Sequence, residues 1–135
     1  MGCIFCDILS GKRVGHFFYE DDYHVAFLDR YPIDEGHSLI IPRKHHEKIT
    51  DMNPDDVGNI FKIVPKIAKA ILDATGADAF SLGQNNGKAA KQIIPHVHVH
   101  IIPRYDGKGT IWTKRQIAND DELLDLAKKI HNFLI

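Results

Sequence analysis

The chain has 135 residues, 44% hydrophobic and 26% charged, with a formal net charge of -1; that is enough apolar sequence for one domain, spanning 1–135, with a core of its own. So balanced a charge offers no basic field to a polynucleotide backbone, although a single nucleotide is not excluded. No apolar run approaches the roughly 20 residues of a membrane span and no basic-then-apolar leader opens the sequence, so neither polynucleotide nor membrane is expected as a partner and the expected location is cytoplasmic.

The first notable stretch is "CIFC", which holds both cysteines of the chain, Cys3 and Cys6. In a sequence of cytosolic character such a pair points to metal or redox chemistry rather than to a structural disulfide. A redox pair is expected after a strand and at the opening of a helix, so the metal reading is preferred. Residues 16–28, "HFFYEDDYHVAFL", read as two short strands about the turn "EDD", and "HSLIIP" at 37–42 as a third strand ended by Pro42. At "NPDD" the period changes. Asn53 is a helix N-cap, Pro54 the first helical residue, and two acids follow in the first turn. Val57, Ile60, Phe61, Val64, Ile67, Ala68, Ile71 and Leu72 then recur at helical spacing up to Gly76, with Pro65 predicting a kink. "DAFSLG" predicts a fourth strand and "QNNGKAAKQ" a polar loop. A last helix from about Asp120 carries Leu123, Leu124, Ala127, Ile130 and Leu134 on one side. Strands joined by short turns, with helices laid on them, predict an α+β fold: a mainly antiparallel five-stranded sheet and two helices.

The fifth strand is "IIPHVHVHIIPRY" at 93–105, an apolar run bounded by Pro95 and Pro103. Alternation puts His96, His98 and His100 on one face, roughly 6.6 Å apart in sequence order, and Val97, Val99 and Ile101 on the other. Four readings are open. The histidines can be satisfied residues of a half-exposed strand. They can form a catalytic metal site, where a His-x-His pair reaches one zinc and needs a third ligand and an open position. They can serve acid–base or nucleophilic catalysis, since imidazole changes charge near neutral pH. They can cradle an anion through ring N–H groups. The last two are compatible and together describe phosphoryl chemistry.

On these and neighbouring blocks the chain resembles the histidine triad family of nucleotide hydrolases and transferases. "HVHVHII" at 96–102 looks like the family signature; "IFCDILSGK", "YEDDYHVAFLDRYPIDEGHSLIIPRKHH" at 19–46 and "NNGKAAKQIIPHVHVHIIPRY" at 85–105 resemble its blocks in order and spacing. The resemblance implies a nucleotide phosphoramidate or dinucleoside polyphosphate hydrolase. In such an enzyme His98 attacks the α-phosphorus, giving a covalent nucleotidyl-histidine that water hydrolyses, and His100 donates to a phosphate oxygen or the leaving group. No catalytic metal is expected. Neutral imidazole is a good nucleophile near pH 7, and dividing the displacement in two lowers each barrier. The resemblance further implies a purine nucleotide substrate, with Phe5, Ile8 and Phe27 against the base, Asp29 on the ribose hydroxyls, and Asn85, Gln92 and His100 toward the phosphates. Taken without it, Phe5, Ile8 and Phe27 read as core and Asp29 as a turn cap. The chain departs from the family pattern at Lys91, where Gly is usual, and at Ile93, where Ser or Thr is usual. Lys91 either supplies a cation or points to solvent, and Ile93 removes a hydroxyl contact beside the phosphate, which bears on the leaving group accepted.

Two thiolates leave a structural zinc site two ligands short of tetrahedral closure, and the candidates are His45, His46 and the triad itself. Family members with the same N-terminal pair imply Cys3, Cys6, His45 and His96 as the set; the alternative is two free thiols with His45 and His46 exposed. His37 is expected to hydrogen-bond behind its strand, and His16, His24 and His131 to lie at the surface. A twofold homodimer is expected, as in the family, through the helix beginning near Pro54 and an edge strand. Ile63, Ile67 and Ile71 widen that helix's apolar arc beyond what one sheet face covers. "GTIWTK" at 109–114 would then set Trp112 against the partner's nucleotide pocket. Two other functions compete: a nucleotide-binding interaction protein with vestigial catalysis, which the departures at Lys91 and Ile93 would mark, and a metal-dependent hydrolase built on His-x-His. For the latter the nearest following acid is Asp106. The transferase branch, with glutamine as its third residue, is disfavoured by His100.

Overall fold

A computed structural model describes residues 2–113 and 117–135. In chain order the elements are α1 (Ile4–Ser10), β1 (Phe17–Glu20), β2 (His24–Leu28), β3 (Ser38–Pro42), α2 (Pro54–Thr75), β4 (Ala79–Gly83), β5 (Val99–Arg104) and α3 (Asp120–Asn132). The strands form one sheet in the order β1-β2-β3-β5-β4, with every neighbouring pair antiparallel. The expected α+β architecture is present, with one helix more than expected. That helix, α1, has seven residues, too short a stretch for a helical period to stand out. Its caps are chemical: the Cys3 sulfur accepts the Cys6 N–H at 3.4 Å, and Gly11 ends it in the left-handed region.

Helix α2 starts and stops where its caps dictate. The Asn53 side chain accepts the Asp55 N–H at 2.8 Å, and left-handed Gly76 returns its N–H to Leu72 at 2.8 Å. Pro65 is accommodated inside the helix on its exposed side. Ile60, Val64, Ile67 and Ile71 bury against Ala26, Leu28, Ile40, Val97, Val99 and Ile101 of the sheet and its lead-in, and against Leu123, Ala127 and Ile130 of α3. Two residues assigned to these apolar stripes lie outside them: Phe61 is 40% exposed and Leu124 45%. This core positions the site. Each fully buried Val or Ile stabilises by roughly 1.5–3 kcal/mol, and slipping the 97–101 segment by one residue would put histidines in place of Val97, Val99 and Ile101. Core packing therefore holds the histidines on the far face.

Two turns deserve mention for what they place. Gly36 (φ +88°) precedes His37, and a Cβ there would come within 2.8 Å of Thr75 Cγ2 and 3.1 Å of Pro103 Cγ, so only glycine lets the β2–β3 connection lie this close to α2 and β5. In the β1–β2 turn, Asp21 accepts hydrogen bonds from the Tyr19 hydroxyl (2.7 Å) and from the backbone N–H groups of Tyr23 (2.7 Å) and His24 (2.6 Å). His24, expected at the surface, is buried because its ring folds onto the same carboxylate at 3.1 Å. His16 is likewise half-buried and meets Asp120 at 3.1 Å, while His131 is exposed as expected. Burial alone would raise the Asp21 pKa, but the hydrogen bonds from Tyr19, Tyr23 and His24 outweigh it and hold it at about 2. A folded-state pKa below the ordinary value of about 3.9 means that the stabilisation is fully present above that value and is lost as pH falls toward 2. Asp21→Asn should accordingly lower the melting temperature at pH 7, and thermal melts from pH 7 to 2 should show the gap to the unsubstituted protein closing below about pH 4.

Candidate active site and metal centre

Regular strand pairing reaches the histidine segment later than expected: β5 begins at Val99, and His96 and His98 lie in its lead-in. β3 pairs with β5 only from Ser38↔Ile101 to Ile40↔Val99. Beyond that, the Val97 N–H is taken by the His46 carbonyl at 2.8 Å, outside any ladder. Alternation nevertheless continues. Val97, Val99 and Ile101 enter the helix-side core, while the rings of His96 and His98 stand edge-on to Phe5 at 5.9 and 5.0 Å and His98 lies 4.9 Å from His100.

Each imidazole is oriented by a group whose donor or acceptor role is known, which settles which nitrogen carries the proton. The ring of His98 donates Nδ1–H to the His96 carbonyl at 2.7 Å, which leaves the lone pair of the neutral ring on Nε2. His37 Nδ1 accepts the Ile33 backbone N–H at 3.0 Å, so neutral His37 carries its proton on Nε2 and donates it to His100 Nδ1 at 2.9 Å. His100 in turn bears its proton on Nε2. The expectation that His37 hydrogen-bonds behind its strand is met, and its partner proves to be His100. Asp29, buried at the end of β2, accepts the Tyr31 N–H on Oδ1 at 2.8 Å and places Oδ2 3.6 Å from His37 Nε2. Its turn-capping role is therefore present, alongside a contact with the histidine chain.

On the other side of His98 the thiols meet imidazoles. His96 donates Nε2–H to the Pro42 carbonyl at 2.8 Å, turning Nδ1 toward Cys3 Sγ (3.5 Å), Cys6 Sγ (3.6 Å) and His45 Nδ1 (3.2 Å). His45 Nδ1 is 3.4 Å from Cys6 Sγ, and all four ligand atoms lie within 4.8 Å of one another. Bond lengths of about 2.3 Å to sulfur and 2.0–2.1 Å to nitrogen give a tetrahedron with edges of about 3.3–3.8 Å, so these residues fit a four-coordinate metal. Burial first, with His45, His98 and His46 adding repulsion, holds the His96 pKa down at about 4 despite the Pro42 hydrogen bond, which keeps the ring neutral and able to ligate. Burial and the neighbouring Cys3 push the Cys6 thiol up, a cost that a bound cation reverses. The pair does open a helix, as a redox pair would, but it faces two histidines.

Phe5, Ile8 and Phe27 gather on the same face: Phe5 and Phe27 pack edge-on at 5.5 Å in a cluster with Val25, Leu39 and Ile41, and Ile8 lies at its margin. Phe17, which the sequence reading did not single out, joins this wall 5.8 Å from Phe27. The "QNNGKAAKQ" loop is braced from inside. Gln92 Oε1 accepts the Gly87 N–H at 2.7 Å and its Nε2 donates to the Glu47 carbonyl at 2.6 Å, so this side chain ties the loop to the 43–49 segment. Asn85 is half-buried in the loop, and its neighbour Asn86 accepts the Ile49 N–H at 2.9 Å. Lys91 is exposed and sits at φ 62°, the one non-glycine residue with positive φ among those described. A left-handed L-residue costs about 1–2 kcal/mol, partly offset by the greater unfolded-state freedom of glycine; Lys91→Gly should stabilise the chain by up to about 1 kcal/mol, read from urea denaturation. Ile93 is 81% exposed. Trp112 lies against Gly83 and stacks with the Arg104 guanidinium at 4.8 Å, and Gly83 pairs with His100, so the indole sits on the His100 side of its own chain. Lys114, the last residue of "GTIWTK", lies outside the described residues. Among the described helices none is long and apolar enough to cross a membrane.

Comparison with known proteins agrees with this geometry. The chain is 41% identical over 123 residues to an adenylylsulfatase of Arabidopsis thaliana, covering 91% of this chain and 62% of that protein. It is 40% identical over 131 residues to an adenosine 5'-monophosphoramidase of Saccharomyces cerevisiae, covering 95% and 80%. Its fold superposes with a TM-score of 0.87 on a zinc-bound histidine triad family protein from Mycobacterium smegmatis, at 31% identity and covering 99% of this chain and 94% of that one. Residues 11–107 match the HIT domain, and with the alternate histidines, the antiparallel sheet and these relatives in agreement, the chain belongs to the HIT family.

Proposed function

We propose that this protein hydrolyses nucleotides substituted at the α-phosphate, with AMP-linked phosphoramidates or dinucleoside polyphosphates as the substrate class. The observation that carries the reading is the His98 Nδ1–H bond to the His96 carbonyl at 2.7 Å, because it leaves the lone pair on Nε2, as a nucleophile requires. Attack forms an N–P bond from His98 Nε2 as the bond from phosphorus to the leaving group breaks. The departing group takes the proton of His100 Nε2, and His37, donating to His100 Nδ1, holds His100 in the tautomer that can give it. Water then attacks the nucleotidyl-histidine, its proton returns to His100, and His98 is restored. Phe5, Ile8 and Phe27 wall the base, Asp29 takes the ribose hydroxyls, Asn85 and Gln92 line the phosphate side, and the latter does so by shaping the loop. The names of the Arabidopsis and yeast relatives, both acting on AMP-linked compounds, support the class.

Cys3, Cys6, His45 and His96 hold a structural zinc: two thiolates and two imidazoles suit that ion, and four protein ligands leave no position for substrate. Two copies pair through α2 and the edge strand β4, where Phe61, Phe80 and Leu82 are 40%, 40% and 43% exposed. The test of function is incubation with adenosine 5'-phosphoramidate and with diadenosine polyphosphates, with and without chelator, followed by an alkaline quench, which preserves a histidine N–P bond, and intact mass. Turnover with an AMP adduct on the chain is expected; tight AMP binding with neither turnover nor adduct would replace hydrolysis by the interaction-protein reading.

A further inference from the structure

We infer that Phe5 and His96 are positioning residues for the nucleophile, so that occupancy of the four-ligand centre and binding of nucleotide are coupled. The inference rests on the function proposed above and adds a regulation to the same site. His96 is held at opposite points of its ring, by the Pro42 carbonyl at Nε2 and by the thiol side at Nδ1. The carbonyl of that same residue accepts His98 Nδ1–H. Between them stands only Val97, fully buried, with its N–H on the His46 carbonyl at 2.8 Å. A displacement of the His96 ring is therefore passed to the acceptor that sets the His98 tautomer.

Phe5 provides the second connection. It sits between the two thiols in sequence, is 3% exposed, and meets both rings edge-on, His96 at 78° and His98 at 82°. Its edge limits rotation of the His98 ring. The helix that carries it is seven residues long, well below the roughly 12–15 residues at which an isolated helix becomes even marginal, so it depends on tertiary contacts: its apolar face on the 25–41 strands and its thiols at the 45 and 96 positions. Ile8, on the wall assigned to the base, is carried by the same helix. With the ligands unlinked, this short helix loses one of its two anchors and frays, which releases Phe5 from His98 and opens the base wall. Linkage then requires the reverse: nucleotide must tighten the hold on the metal by the same factor.

The experiment compares zinc-loaded protein with protein treated with a chelator, at pH 8. Loaded protein should bind AMP at least tenfold more tightly by calorimetry, and saturating AMP should slow zinc transfer to a colorimetric chelator. Long-range ¹H–¹⁵N correlations of the His98 ring should report the Nδ1–H tautomer alone in loaded protein and a mixture after chelation. Phe5→Leu should keep one zinc per chain yet show a mixed tautomer and a smaller zinc dependence of AMP affinity. Equal AMP affinity within twofold and an unchanged tautomer in chelated protein that still melts cooperatively would overturn the inference. So would an unchanged tautomer and AMP affinity in zinc-loaded Phe5→Leu, should chelated protein not stay folded. If loaded protein binds no AMP the proposed function fails instead, and the tautomer comparison, which needs no nucleotide, still decides the positioning claim.

Discussion

His98→Ala is expected to lower turnover of adenosine phosphoramidate by about four orders of magnitude or more while AMP binding stays within a few-fold of the unsubstituted protein. Attack and binding use different groups. In the proposed mechanism the nucleophilic Nε2 belongs to His98 alone, whereas the residues proposed to hold the nucleoside, Phe5, Ile8, Phe27 and Asp29, lie on other elements. Removing the ring also opens a gap beside Phe5, whose ring centre lies 5.0 Å from that of His98, so a modest loss of affinity is expected. No other imidazole can substitute: His96 Nδ1 faces the thiols and His100 Nδ1 accepts from His37. The variant should form no adduct on alkaline quench. Wild-type turnover in His98→Ala would remove His98 from the mechanism.

Cys3→Ser combined with Cys6→Ser should abolish stoichiometric zinc and lower the melting temperature by roughly 10–15 °C. A metal bound only by the folded state adds its binding free energy to folding, about 4 kcal/mol when free metal exceeds the dissociation constant a thousandfold, and a chain of this length turns each kcal/mol into roughly 3–4 °C. The loss should appear locally first. Hydrogen exchange is expected to rise across Ile4–Ser10 and the 43–47 segment, while α2, whose Ile67 and Ile71 are fully buried, keeps its protection. Elemental analysis of the unsubstituted protein should give about one zinc per chain; a value far below one, or a double variant that melts with the parent, would count against the site.

Much of the architecture is local in origin and so was legible in the sequence. Asn53, Pro54 and Gly76 bound α2 through hydrogen bonds within a few residues of each cap, and strand alternation in "HVHVHII" fixes which side of the sheet faces the helices, because Val97, Val99 and Ile101 have to be buried. From these alone the histidines share a face opposite the core. The two cysteines likewise point to metal chemistry, although the choice of His45 and His96 as partners comes from the family resemblance rather than from the spacing.

Other features depend on partners distant in sequence. Whether His45 or His46 meets the thiols follows from the backbone: His46 gives its carbonyl to Val97 while the His45 ring turns to Cys6. His24 reads as a surface residue until Asp21 folds back under it, and the hold of the Gln92 amide on Gly87 and Glu47 appears only in the fold. Helix α1 forms in a seven-residue stretch because a sulfur caps it and the 25–41 strands cover its inner face. Above all, sequence names three histidines without saying which nitrogen of each carries the proton. That is decided by the carbonyls of Pro42 and His96 and the N–H of Ile33, reached across 54, 2 and, through His37, 67 residues of chain, because a ring nitrogen becomes donor or acceptor only according to the group that the tertiary fold sets against it.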